Sequence, residues 1–155
     1  MYWVEKIEII KKEFNSAEFK DPFYNGNHII KKIINKFHNV KPDDFYQIDD
    51  KENLIKNNVF IKECSVENIY KNEMEKLELN TNYYLFLIDI PMDRYKIYDC
   101  QKNALRYLLY LSSSLEKQRF YIIDKKYNWL NYFIIDKKTN KAKIYKCGNA
   151  NTIFG

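Results

Sequence analysis

The chain has 155 residues, 46% of them apolar and 17% aromatic, and carries a net charge of +5 at pH 7. That length and apolar content suffice for one hydrophobic core and exclude a disordered chain, while no stretch reaches the roughly 18 apolar residues of a membrane-crossing helix. All but Arg94, Arg106 and Arg119 of the 26 basic residues are lysines, and Asn, Ile and Tyr are over-used with them; this is the signature of an A/T-rich coding sequence, and it weakens the usual step from positive charge to nucleic acid.

From the start of the chain, Trp3, Ile7, Ile10 and Phe14 fall at helical spacing and predict an amphipathic helix over residues 2–14 that ends near Asn15-Ser16. Met1 to Lys6 lack the basic start, apolar middle and small-residue cleavage site of a secretion signal, so the cytoplasm is the expected location. After a loop with Asp21-Pro22 and Asn25-Gly26-Asn27, Asn27 is the expected N-cap of a second helix from His28 to about Asn39, with Ile29, Ile30, Ile33, Ile34 and Phe37 on one face and Lys41-Pro42 closing it. Residues 43–56 read as a polar, acidic loop and Val59-Phe60-Ile61 as a short strand. Ser65 is placed to cap a third helix over 66–79 that uses Val66, Ile69, Tyr70 and Leu77.

From residue 80 the pattern turns to strands. Tyr83 to Ile90 is aromatic and β-branched, and Tyr95-Lys96-Ile97-Tyr98 alternates as a hairpin partner. Asp99 is the expected cap of a helix over 100–115 carried by Ala104, Leu105, Leu108, Leu109, Leu111 and Leu115. Arg119 to Ile123, Asn128 to Ile135 and Lys141 to Lys146, joined by polar turns at Asp124-Lys125-Lys126 and across Asp136 to Asn140, predict an antiparallel meander. No repeat, Pro- or Gly-rich linker or low-complexity tract divides the chain, so residues 1–155 are expected to form one α+β domain, about four helices on a mainly antiparallel sheet of five or six strands built largely from 82–147.

The chemistry-bearing residues are sparse. Gly26, Gly148 and Gly155 are the only glycines, too few and too scattered for a dinucleotide fingerprint or a phosphate loop, so no cofactor is expected. His28 and His38 lie on one predicted helix, about 280° apart around it and about 15 Å along it, and cannot share a metal ion. Cys64, Cys100 and Cys147 are odd in number and form no Cys-x-x-Cys pair, the usage of a reducing compartment. Cys147 stands beside Gly148, where a sharp turn would expose it. Ser112-Ser113-Ser114 lacks a Gly-x-Ser-x-Gly elbow and reads as polar surface at a helix end, and Trp129 as core.

Two charged segments remain. Asp43, Asp44, Asp49, Asp50 and Glu52 surround Phe45 and Tyr46. A carboxylate pair for acid–base chemistry can be drawn from them, but so many acids with two aromatic anchors suit docking on a basic protein better. A solvated acidic loop has the same composition. Among the basic, tyrosine-rich C-terminal hairpins, Lys125, Lys126, Tyr127, Lys138, Lys141 and Lys143 offer ammoniums for phosphates and an aromatic face for unpaired bases. Charged hairpin turns are also ordinary in soluble sheets, and arginine, the bidentate phosphate donor, is nearly absent.

The run Phe120-Tyr121-Ile122-Ile123-Asp124-Lys125-Lys126-Tyr127-Asn128-Trp129-Leu130, preceded by Tyr95-Lys96-Ile97-Tyr98-Asp99 and a Leu-rich helix, resembles a family of small uncharacterised bacterial proteins over about residues 80–135. Some of its members are found near polymorphic toxin genes. In that family a polar, His-containing stretch often follows the Trp-Leu pair, whereas Asn131-Tyr132-Phe133-Ile134 follows here, and no functional residue carries over. The expectation is a non-enzymatic binding domain of the immunity or inhibitor type, which covers the active surface of a protein partner such as a cognate toxin and meets it through Asp43 to Glu52. The alternative is a single-stranded nucleic-acid-binding module. No membrane partner is expected.

Overall fold

In the computed structural model, which describes residues 3–20, 26–38, 60–87, 97–111 and 117–148, the aromatic and β-branched runs of the second half of the chain form the middle of a single sheet. The elements in chain order are α1 (Trp3–Glu13), β1 (Phe19–Lys20), α2 (Asn27–Phe37), β2 (Phe60–Cys64) and a composite helix α3 that runs as α over Val66–Asn68, π over Ile69–Glu73 and 3-10 over Met74–Lys76. Then come β3 (Asn82–Leu87), β4 (Ile97–Gln101), α4 (Lys102–Leu111), β5 (Lys117–Asp124), β6 (Trp129–Asp136) and β7 (Lys141–Gly148). The sheet order is β1-β4-β3-β5-β6-β7-β2, and every pairing is antiparallel. This is the expected α+β class with a sheet one strand wider: β2, near the strand expected at Val59-Phe60-Ile61, closes one edge, and the two-residue β1, not expected from the sequence, adds to the other.

Both faces of the sheet are covered, which is why its central strands are apolar without strict alternation. Along β5, Phe120 and Ile122 point to one core, and Tyr121 and Ile123 to the other. The first core is closed by Ile7 and Ile10 of α1, by Val66, Ile69 and Met74 of α3, and by Ala104, Leu105 and Leu108 of α4. Over the second lies α2, whose Ile29, Ile30, Ile33, Ile34 and Phe37 are all at most 2% exposed. Each such side chain contributes roughly 1.5–3 kcal/mol by leaving water. A helix of 11 residues is marginal on propensity alone, so this stripe is what holds it.

Register is fixed by aromatic rings that meet across strands. Phe120 stacks on Phe133 at 4.9 Å on one face; on the other, Tyr121, Tyr132 and Tyr145 form a ladder with centroids 4.5 and 5.9 Å apart. These are the residues directly opposite one another in the pairing, and a slip of one position would send each ring to the wrong core.

Several local expectations change. Gly26, not Asn27, is the N-cap of α2, and Asn27 is its first helical residue. Asp99 does not cap α4: it sits inside β4, 1% exposed, because Ile97 to Gln101 pair with β3 before the helix begins at Lys102. Ser65 does cap α3, its Oγ accepting from the Asn68 N–H at 3.3 Å, but the predicted α-helix over 66–79 ends at Lys76 and is α only over Val66–Asn68, with a π turn over Ile69–Glu73 at its centre. Cys147 is fully buried in β7, since the left-handed Gly148 (φ 122°) ends the strand rather than turning the thiol outward. The ends of two predicted strands, 88–90 and 95–96, and Ser112 to Ser114 lie outside the described residues.

Candidate functional site

Two polar assemblies stand out against the apolar layers, one on each face of the sheet. On the face under α3, the Glu73 carboxylate is 0% exposed and meets three ammoniums: Lys62 of β2 at 2.5 Å, Lys146 of β7 at 3.2 Å and Lys76 at 3.4 Å. Lys146 is itself 1% exposed. Burial pushes the Glu73 carboxyl upward, but the hydrogen bond from Lys62 and the charges of Lys146 and Lys76 together outweigh it and hold the group below its ordinary value. For Lys146, burial outweighs Glu73 and lowers its pKa. The π turn widens the backbone where Glu73 descends onto the sheet. Beside Lys146 in register, the Asn131 amide is fully buried with no hydrogen-bond partner for either atom among the described residues.

The second assembly lies on the opposite face, where the β5–β6 turn meets β3, β4 and α2. Asp99 accepts from the Asn82 amide at 2.5 Å and pairs with Lys125. The Asn82 amide also donates to the Ala17 carbonyl at 3.0 Å, and Gln101 donates to the Asn82 oxygen at 3.1 Å. From this anchored end, the Lys125 ammonium lies over the Tyr84 ring at 5.4 Å, Tyr84 lies 6.0 Å from Tyr127, and the Lys32 ammonium of α2 lies over Tyr127 at 5.6 Å. Burial pushes the Tyr127 hydroxyl up to about 12, with Tyr84 adding to it, so the Tyr127 phenol stays protonated.

Of the basic residues singled out in the sequence, Lys125, Lys126 and Tyr127 share this corner, and Lys126 is exposed. Lys138 and Lys141 do not join them: they sit at the β6–β7 turn, separated by the length of β6, about 24 Å at 3.4 Å per residue. There Lys138 and Lys141 are exposed, and the Lys138 N–H donates to Asp136 at 3.0 Å. Lys143, two residues along β7 from Lys141, pairs with Glu63 at 3.5 Å and lies over Tyr145 at 5.8 Å. Antiparallel hairpins put successive turns at opposite ends of the sheet, and the C-terminal lysines therefore form two groups. Asp43, Asp44, Phe45, Tyr46, Asp49, Asp50 and Glu52 lie outside the described residues; the chain leaves α2 at His38 and returns at Phe60.

The remaining candidates are accounted for by packing. His38 is buried with Nε2 3.4 Å from the Tyr121 hydroxyl, while His28 is exposed on the first turn of α2, so the two do not converge. Burial raises both Cys100 and Cys147, the latter to about 12, which keeps them as thiols. Trp129 is core, packed 5.7 Å from Tyr83. Among the described residues no three metal-ligating side chains cluster, and no helix is long and apolar enough to cross a membrane. A cleft of about 340 Å³ between α1, α3 and α4 is lined by Phe14, Tyr70, Asn103, Arg106 and Tyr107, and one of about 600 Å³ opens beside the β6–β7 turn.

Sequence reasoning missed Glu73, Asp99, Lys32 and Tyr84. One signal was available for Lys32: α2 carries Lys31, Lys32 and Lys36 and no acidic residue, so the net charge of its solvent side is positive. Comparison with protein-family models, with curated proteins and with solved structures finds no match to this chain.

Proposed function

We propose that the protein acts by contact, as a cytoplasmic, non-enzymatic binding domain of the immunity or inhibitor type that neutralises a toxin or other effector by covering its active surface. The observation that carries this reading is the internal pairing of the buried carboxylates Glu73 and Asp99. Glu73 is engaged by three lysines and Asp99 by Lys125 and Asn82, while Cys100 and Cys147 are buried and protonated. These groups serve the packing of helices on a rigid sheet, which suits a scaffold that presents a surface. The resemblance of residues 80–135 to small bacterial proteins, some encoded near polymorphic toxin genes, points the same way.

The proposed contact segment is Asp43, Asp44, Phe45, Tyr46, Asp49, Asp50 and Glu52, acids to match a basic partner and two rings to anchor it. The test is capture of partners from the native host on the full-length chain, repeated with Asp44, Asp49 and Asp50 each changed to Lys. Retention of a basic protein that falls about tenfold or more with the triple variant is the expected result. Capture that survives the three reversals unchanged would remove this face from the proposal.

A further inference from the structure

The solvent side of α2 and the β5–β6 turn form one continuous basic surface that no single stretch of sequence contains. His28, Lys32 and Lys36 follow one another at intervals of four along α2, a stripe about 12 Å long at 1.5 Å per residue, and all three are exposed. Lys31 is exposed beside them, and Lys126 extends the charge onto the turn. Lys32 is the joint: its ammonium reaches the Tyr127 ring. Among the described residues, two carboxylates of this corner are engaged elsewhere, Asp99 being buried against Lys125 and Asn82, and Asp124 accepting the Asn128 N–H at 3.1 Å.

Tyr127 adds an independent observation. Its φ is 58°, a left-handed conformation that suits Gly or Asn and costs a bulky residue on the order of 1 kcal/mol. At the β6–β7 turn the equivalent conformation, φ 54°, is taken by Asn140. The β5–β6 turn thus holds a tyrosine where an asparagine would fit without strain, and the strained backbone sets the half-buried ring beside that of Tyr84.

We propose that this corner binds single-stranded nucleic acid, with Lys31, Lys32, Lys36 and Lys126 tracking the phosphates and the Tyr127 ring, backed by Tyr84, stacking on a base. An exposed ammonium over a ring is worth only about 0.5–1 kcal/mol, so an arriving phosphate draws Lys32 away and uncovers the Tyr127 face. Stacking contributes about 1–3 kcal/mol per base and tolerates any sequence, which fits a surface whose cations are all lysine. An acidic protein would use the ammoniums but would leave the paired rings without a role. The inference does not rest on the toxin-partner reading, since it uses none of residues 43–52.

The test is fluorescence anisotropy of a labelled oligothymidylate of about 15 nucleotides with the full-length chain. Four phosphate contacts on a single strand give a log–log salt slope of about −3, or about a fifty-fold loss of affinity between 50 and 200 mM salt. Lys32→Glu and Lys126→Glu should each weaken binding about tenfold, whereas Lys138→Glu, the same charge change at the far turn, should stay within about twofold. Tyr127→Asn, which suits the left-handed backbone, should lose several-fold in affinity and keep the slope. Far-ultraviolet circular dichroism identifies any variant that fails to fold, and Lys126 lies on an exposed turn where reversal leaves the core untouched. No signal at low salt, equal weakening by Lys138→Glu, or equally effective competition by polyglutamate would each overturn the proposal, the last in favour of an acidic protein.

Discussion

Neutralising the Glu73 carboxylate leaves Lys146 charged and 1% exposed without its ion pair to Glu73. Lys62 and Lys76, with side chains 33% and 29% exposed, can turn to water, so most of the penalty falls on Lys146. Glu73→Gln should therefore destabilise the fold by about 3–5 kcal/mol, the usual cost of breaking a buried pair from one side. The Glu73→Leu, Lys146→Met double variant removes both charges together and should recover most of that loss, because a desolvated ion pair gives little net stability over apolar residues of similar volume. Urea midpoints of wild type, single and double variants measure it. A single variant as stable as the wild type would mean that Lys146 reaches solvent, against its burial.

At the level of elements, the β6–β7 hairpin ends on a backbone contact that admits no side chain. Gly148 lies opposite Trp129 with φ 122°, and a Cβ there would fall on the Asn128 carbonyl oxygen and within 2.7 Å of the Trp129 Cα. Both are backbone atoms where the β5–β6 turn enters the paired strand β6, and they cannot step aside. Gly148→Ala is expected to cost about 2–4 kcal/mol and to lower the thermal midpoint by roughly ten degrees or more; a midpoint within a degree or two of wild type would show that the strand end reorganises freely. Most elements were legible in the sequence, since the meander, the stripe of α2 and the cap at Ser65 are written in local periodicity and side-chain chemistry. Asp99 was misread because a cap and a buried strand acid look alike until Asn82 and Lys125 are known to close around it. The π turn of α3 was not legible either, because it depends on Glu73 reaching lysines on two strands, one of them 73 residues away.

For the whole molecule, what the sequence could not show is which charges share a face. Lys32 and Tyr127 meet only because α2 crosses the second face of the sheet, and the C-terminal lysines part only because antiparallel turns alternate ends. The same topology makes Glu73 a clamp between layers, joining α3 to β2 and β7, and this gives the fold a defined response to acid. A carboxyl held below its ordinary 4.5 binds a proton more readily when unfolded than when folded. Its contribution is fully present above that value and is lost as pH falls through the lower, folded-state value. With a net charge of +5 at pH 7 and 21 Asp and Glu to protonate, self-repulsion grows over the same range. The urea midpoint should be flat from about pH 7 to 5 and fall below about 4.5. Glu73→Gln separates the two causes: it keeps the repulsion but has no clamp to lose, so the stability gap between it and the wild type should be widest near neutrality and close progressively below about pH 4.5. A gap that stays constant down to about pH 3 would assign acid unfolding to general repulsion and leave Glu73 no part in it.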